Sequence, residues 1–172
     1  DITRGNLSPL PIAVSPLSID ENSRKNFEKI LKQKNIASEI SSIVENNLKT
    51  SGLFNPLNKD AFLQKPEIAN LKPRFEDWNL IKAQALITGK VSFVDEKLRV
   101  EFRLWDVLAG KEMMALAFTT VPNNWRRVGH IITDKVYERL TGEQGYFDTR
   151  IIYVAEEGLS LIHISEPTRP TL

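Results

Sequence analysis

The stretch that decides the fold is residues 86–120, which read LITGKVSFVDEKLRVEFRLWDVLAGKEMMALAFTT. In its middle part, apolar side chains alternate with charged ones: Leu98, Val100, Phe102 and Leu104 alternate with Arg99, Glu101 and Arg103. A period of two is typical of a strand with one buried and one solvent-facing side. Turn-like sequences at residues 95–97 and 106–111 separate three such segments. We therefore expect a three-stranded antiparallel meander, one face of which the rest of the chain must cover.

Two segments have the helical spacing of apolar residues that such a cover needs. One spans residues 36–48 and the other residues 125–140. Asn35 is placed to cap the first helix. Gly129 lies on the apolar face of the second, and we expect it to allow a close approach to the sheet.

The remaining segments carry weaker signals. Residues 7–19 are apolar but contain Pro9, Pro11 and Pro16, which cannot donate to a ladder, so we predict an edge strand or a strand with irregular ends. Residues 20–33 are predicted to be a short helix or an ordered loop, residues 59–71 a loop, and residues 75–83 a short helix. Together the elements predict an α/β (α+β) fold with a mixed, mainly antiparallel sheet and helices packed on one face.

Composition excludes several classes of function. The 172 residues suffice for one domain, the net charge is only +1, and cysteine is absent. No apolar run is long enough to span a bilayer. With two histidines far apart and no phosphate-binding glycine loop, we expect no metal, no cofactor and no enzymatic activity.

Three groups of polar residues have both a functional and a structural interpretation. Trp125, Arg126 and Arg127 interleave aromatic and basic side chains, as in a small nucleic-acid-binding module; the structural interpretation, a buried tryptophan beside two solvated arginines, is favoured by the low net charge. Charge pairing across strands, rather than a docking surface, is expected for Arg99, Glu101 and Arg103. His130 is expected on the surface, near Tyr137.

The chain start is the remaining candidate site. It is short and polar, and precedes the predicted edge strand; its residues are Asp1, Ile2, Thr3, Arg4, Gly5 and Asn6. A short mobile segment next to an edge strand is suited to recognition by strand addition.

Several stretches together carry a family resemblance. They are residues 10–14 (LPIAV), 48–57 (LKTSGLFNPL), 85–89 (ALITG) and 134–143 (DKVYERLTGE), followed by Phe147 and by residues 149–154 (TRIIYV). In this combination the chain resembles the amino-terminal domain of the TolB family, periplasmic components of the Tol–Pal envelope system. The resemblance covers residues 1–157.

The resemblance implies a non-enzymatic, periplasmic and monomeric interaction domain. It implies contact with TolA through residues 1–6, and contact with Pal mostly through a β-propeller that follows the domain in the family. It also implies a role in outer-membrane integrity and cell division, with no nucleic-acid partner and no insertion into a membrane. Because the family has a few more mature residues before the position of Asp1, we expect TolA binding to depend on them as well.

The resemblance also predicts how the chain is divided. Residues 1–142 would form the amino-terminal α/β domain, and residues 143–157 a linker and the first propeller strand, at residues 151–155. Residues 158–172 depart from the family and read like translated sequencing-adaptor sequence, so we expect them to be a non-native tail.

Overall fold

The computed structural model describes residues 8–148 and the backbone of residues 160–163. The strands and helices run in the following order: β1 (Leu10–Val14), β2 (Ser18–Ile19), α1 (Glu21–Leu31), α2 (Ile36–Thr50), β3 (Phe54–Pro56), α3 (Pro66–Leu71), α4 (Phe75–Leu80), β4 (Ala85–Val94), β5 (Lys97–Asp106), β6 (Lys111–Thr120), α5 (Trp125–Thr141) and β7 (Ser160–His163). Short 3-10 turns occupy Lys59–Ala61 and Pro122–Asn124. None of the helices within these residues is long and apolar enough to cross a membrane.

The predicted meander forms the centre of the sheet. The sheet has the strand order β3-β1-β4-β5-β6-β7, with β2 pairing to β4. The long β4–β5 and β5–β6 ladders are antiparallel, and the short pairs that flank them are parallel. Asp95 and Glu96 make the tight turn between β4 and β5, and both have positive φ, as the twist of a two-residue hairpin turn requires. The predicted α/β class with a mixed, mainly antiparallel sheet is thus confirmed. The helices, however, pack on both faces of the sheet rather than on one.

The main core lies on the face of the meander that carries the alternating apolar residues. Side chains of β5 such as Val100 and Phe102 are fully buried there, together with Ile40 of α2 and Ile132 of α5. Helices α1, α2 and α5 therefore cover this face. Burying such large side chains contributes about 1.5–3 kcal/mol each relative to exposure, so this is the main source of stability.

A second, smaller core lies on the opposite face. Ala13 and Leu86, whose neighbours in sequence face the main core, pack there with Ala69 of α3 and Trp78 of α4. The indole Nε1–H of Trp78 donates to Gln64 Oε1 at 2.8 Å. The prediction of a loop over residues 59–71 was wrong at its end, where residues 66–71 form α3. Half of the six residues of α3 are exposed, and its buried residues Ala69 and Asn70 form no apolar stripe that the sequence could reveal.

Of the two alternatives predicted for residues 7–19, the edge strand was wrong. Strand β1 lies between β3 and β4, and Leu10 N–H donates to Leu53 O at 2.9 Å. Pro11 is tolerated because pairing with β4 begins one residue later, at Ile12. The missing N–H of Pro11 therefore falls just outside the β1–β4 ladder.

The close approach predicted at Gly129 exists, but its partner is a helix rather than the sheet. A Cβ built on Gly129 would lie 2.7 Å from Ile43 Cγ2 and 2.9 Å from Ile43 Cβ. Ile43 belongs to α2, so Gly129 sets the distance between α2 and α5. Asn35 does precede α2, but its side chain makes no capping hydrogen bond.

Candidate functional site at the end of helix α5

A cluster of polar and aromatic contacts holds residues 145–148, here called the exit segment, against α5. The helix ends at Gly142, whose φ of 77° lets the chain reverse direction. The chain then runs back along α5, and its backbone N–H groups meet carboxylates that project from the helix. Asp134 and Glu138 lie four residues apart and so on the same side of the helix.

Three backbone donors of the exit segment are bound by these two carboxylates. Gly145 N–H donates to Glu138 Oε2 at 2.9 Å. Phe147 N–H donates to Asp134 Oδ1 at 2.7 Å, and Asp148 N–H donates to Asp134 Oδ2 at 3.0 Å. Both oxygens of Asp134 are thus used to fix the path of the chain, as charge-assisted bonds.

Burial raises the pKa of Asp134 above its ordinary value. Desolvation is the largest cause, and the nearby carboxylates of Asp148 and Glu138 act in the same direction. The two N–H donors oppose the shift because they stabilise the ionised form. The hydrogen bonds from the exit segment therefore hold the carboxyl group of Asp134 at a position where burial disfavours its ionised form.

Asp148 is bound by its side chain as well as its backbone. Its carboxylate lies 3.4 Å from Arg127 Nε, and both side chains are buried, with exposed fractions of 4% and 6%. Arg127 was expected to be solvated, and that prediction was wrong. The exit segment supplies a buried counter-ion, and loss of either partner would leave a buried charge unpaired.

Aromatic packing completes the cluster. The rings of Tyr146 and Phe147 stack at 4.2 Å, and both meet the ring of Tyr137 edge-on, at 5.5 and 5.7 Å. Gly145 is in direct contact with α5: a Cβ there would lie 2.6–2.7 Å from Oδ1, Cα and Cβ of Asp134. Only glycine fits at this position without displacing the segment.

The residues considered for nucleic-acid binding lie at the other end of the helix. Trp125 is only 5% exposed, and the guanidinium of Arg126 lies 4.2 Å from the centre of its ring. A base cannot stack on a ring that is buried on one side and covered by an arginine on the other. Trp125 is buried, as the structural interpretation predicted, and Arg126 is exposed.

His130 is not an isolated surface residue. Its Nδ1 lies 2.9 Å from the side-chain nitrogen of Asn47 on α2, and the ring is half-buried. It therefore helps to join α2 to α5. The ranges 8–148 and 160–163 contain no group of three metal-ligating side chains.

The charged face of β5 forms the network that its alternation predicts. Arg99 pairs with Glu101 along the strand at 2.9 Å, and Arg103 pairs with Glu112 of β6 at 3.3 Å. These side chains thus interact with one another, in agreement with the charge-pairing interpretation. The partner-binding candidates, residues 1–6, and the predicted strand at residues 151–155 lie outside the described residues.

In the sequence, Asp134 and Glu138 stand out only through the resemblance at residues 134–143. The structure gives these residues and their neighbours a role: two carboxylates lie one helical turn apart, one glycine ends the helix, and Gly145 approaches it closely. The available signal was the four-residue spacing of the acids, followed by two glycines. Nothing in the sequence indicates that the acids bind backbone N–H groups.

Fold and site together define a small α/β domain whose polar contacts hold a segment of its own chain in place. The pattern of the TolB amino-terminal domain matches residues 1–113. Since this match covers more than half of the chain, the chain belongs to the TolB amino-terminal domain family, and the predicted resemblance is confirmed.

Two relatives agree with this assignment. The Tol-Pal system protein TolB of Pelagibacter ubique (strain HTCC1062) is 84% identical over 158 residues, which is 92% of this chain and 35% of the relative. The chain thus spans about a third of that relative's length. The crystal structure of TolB from Acinetobacter baumannii has the same fold, with a TM-score of 0.65, 23% identity, and coverage of 84% of this chain and 31% of that one.

Proposed function

We propose that this chain is a non-catalytic protein-interaction domain of the Tol–Pal cell-envelope system, working in the periplasm. Membership of the TolB amino-terminal domain family is the observation that carries the proposal. The high identity to a Tol-Pal system protein supports it. In this role the domain supports outer-membrane integrity and cell division, and contact with Pal is made mostly by a propeller in longer members.

The proposed contact with TolA is made by residues 1–6. These residues lead directly into β1, which is bonded on one side to β3 and on the other to β4. A partner that binds the first residues therefore binds a segment attached to an interior strand of the sheet, one strand from its edge. Strand pairing by this segment is the proposed mode of recognition.

Binding of an isolated TolA carboxyl-terminal domain tests this proposal. The full chain is compared with a variant in which residues 1–6 are replaced by a glycine–serine segment of equal length. As a matched control, exposed Leu71 of α3 is changed to Ser. We expect the first change to abolish binding and the control to bind like the full chain, with unchanged circular dichroism for both.

The role of the chain start would be refuted if the glycine–serine variant bound as tightly as the full chain. It would also be refuted if neither the full chain nor a chain with additional family residues restored before Asp1 bound TolA. The first result would move the contact elsewhere on the domain, and the second would remove TolA as a partner.

The nucleic-acid alternative has little support from the side chains that suggested it. Trp125 is buried and Arg127 is paired with Asp148, which leaves Arg126 as the exposed cation of the three. A single exposed arginine gives a weak, nonspecific attraction to phosphates. We expect no salt-dependent binding of single-stranded RNA, measured by fluorescence anisotropy.

A further inference from the structure

A polar cleft of about 320 Å³ lies between the first turns of α5 and the exit segment. Asn123, Arg126, Arg127 and His130 line one side, and Phe147 and Asp148 line the other. Asn123 belongs to the 3-10 turn that precedes α5, together with Asn124, which also lines the cleft. Arg126 and His130 lie four residues apart and therefore on the same side of the helix. All four residues of the first side carry hydrogen-bond donors, and two of them are guanidinium groups.

The hydrogen bonds of Asn47 determine which nitrogen of His130 is protonated. The amide nitrogen of Asn47 contacts His130 Nδ1 at 2.9 Å and Thr133 Oγ1 at 3.2 Å. The Thr133 hydroxyl donates to Gly129 O at 2.8 Å, so its oxygen accepts from the amide. Asn47 therefore donates to both groups, Nδ1 of His130 accepts, and the ring hydrogen is on Nε2. His130 thus presents an N–H donor on the side of the ring away from α2.

Arg126 is also held in position. Its guanidinium lies 4.2 Å from the centre of the Trp125 ring, and this cation–π contact restrains the side chain while leaving it exposed to solvent. The neighbouring Arg127 already holds a carboxylate, that of Asp148, at 3.4 Å. Because Arg127 is paired with Asp148, Arg126 is the exposed cationic group of the cleft lining. The cleft lies at the amino-terminal end of α5, where the helix dipole also favours an anion.

We infer that this cleft binds an oxyanion group, a carboxylate or a phosphate, between Arg126, the Nε2–H of His130 and the side chain of Asn123. Arg126 and His130 are already held in position by Trp125 and Asn47, so little of their conformational entropy is lost on binding.

The test is a titration of the full chain with inorganic phosphate and, separately, with acetate. The NMR signals of the arginine Nε–H groups and of the His130 ring report binding. We expect saturable shifts at Arg126 and His130, and Arg126→Gln should weaken binding about tenfold, the effect of removing one charge-assisted hydrogen bond. Arg139→Gln is the matched control, because Arg139 is exposed on the last turn of the same helix.

Comparison of the two ligands distinguishes a site for phosphate groups from a site for carboxylates. Saturation by phosphate alone assigns the cleft to phosphate groups, and saturation by acetate alone assigns it to carboxylates. Linear shifts with both ligands would overturn the inference, as would equal affinities of the Arg126→Gln variant and the unmodified chain. Tight binding with shifts confined to other arginines would overturn it as well.

Discussion

Changing Gly145 to Ala tests whether the exit segment is held as tightly as the contacts on α5 indicate. The φ of Gly145 lies outside the left-handed region. In the absence of a clash, the substitution would thus stabilise the fold by about 0.4–1 kcal/mol, through a less flexible unfolded chain. The new methyl group would, however, lie 2.6–2.7 Å from three atoms of Asp134, including its Cα. The helix backbone cannot yield, so the exit segment must move.

The size of the effect follows from the hydrogen bonds that this movement breaks. Ordinary contact begins at 3.4 Å, so the segment must shift by roughly 0.7 Å to relieve the overlap. The bonds from Gly145 and Phe147 to Glu138 and Asp134 are 2.9 and 2.7 Å long, and a shift of this size weakens or breaks them. Each is a bond to a charged group, worth about 1.5–3 kcal/mol, which gives a net loss of about 2–4 kcal/mol.

Urea denaturation and thermal melting of the full chain measure this loss. At about 3 °C per kcal/mol for a chain of this size, the melting temperature should fall by roughly 6–12 °C. Gly142→Ala is the control: its φ is 77° and nothing lies within 4 Å, so it should cost about 1–2 kcal/mol from backbone strain alone. Hydrogen exchange at Phe147 and Asp148 should accelerate in the first variant and not in the control. Equal or greater stability of Gly145→Ala would refute the reasoning.

Three further changes address other contacts. The Asp20 carboxylate caps α1 by accepting from Ser23 N–H at 2.8 Å, and this bond lowers the pKa of Asp20. Asp20→Ala should therefore cost about 1 kcal/mol of stability near neutral pH. In urea denaturation, the stability difference between the variant and the unmodified chain should shrink as the pH falls through the folded pKa of Asp20. The raised pKa of Asp134 acts with the opposite sign, because its titration contributes stability below the unfolded pKa that is lost as the pH rises through the folded pKa. The stability of the unmodified chain relative to Asp134→Asn should therefore fall between these two pKa values and then level off. A rise of this stability difference with pH would show that the N–H donors outweigh burial. Gly129→Ala should lower the melting temperature by several degrees, because its methyl group would overlap Cγ2 and Cβ of Ile43. Since Ile43→Ala removes Cγ2 but keeps Cβ, Gly129→Ala should cost less stability in an Ile43→Ala background than in the unmodified chain. An unchanged melting temperature of the single variant would contradict the overlap.

The meander could be predicted from sequence because its signal is local. Each residue of β5 contrasts with its neighbour, and the turns between strands are short. The partners of β1 could not be predicted in this way. Three prolines suggested an edge, but whether Pro11 costs a hydrogen bond depends on where β4 begins to pair, and this is a property of the tertiary structure.

The candidate site could likewise be predicted from the sequence only in part. The positions of Asp134 and Glu138 on one helical face follow from their spacing, but their role depends on the chain turning back after Gly142. Arg127 is buried against Asp148, which follows 21 residues later. Contacts made across such a reversal leave no periodic signal, so the sequence predicted a solvated Arg127.

The attachment of the exit segment also determines how mechanical load enters the domain. Tension on the chain directly after Asp148 acts first on the buried Arg127–Asp148 pair and on the bonds to Asp134, and both Arg127 and Asp134 belong to α5. From α5 the load passes to α2 through the close contact at Gly129, and to the sheet through the α5 side chains that share the main core with β5. The domain would thus yield by detachment of four residues from a helix, while the meander and its core stay intact.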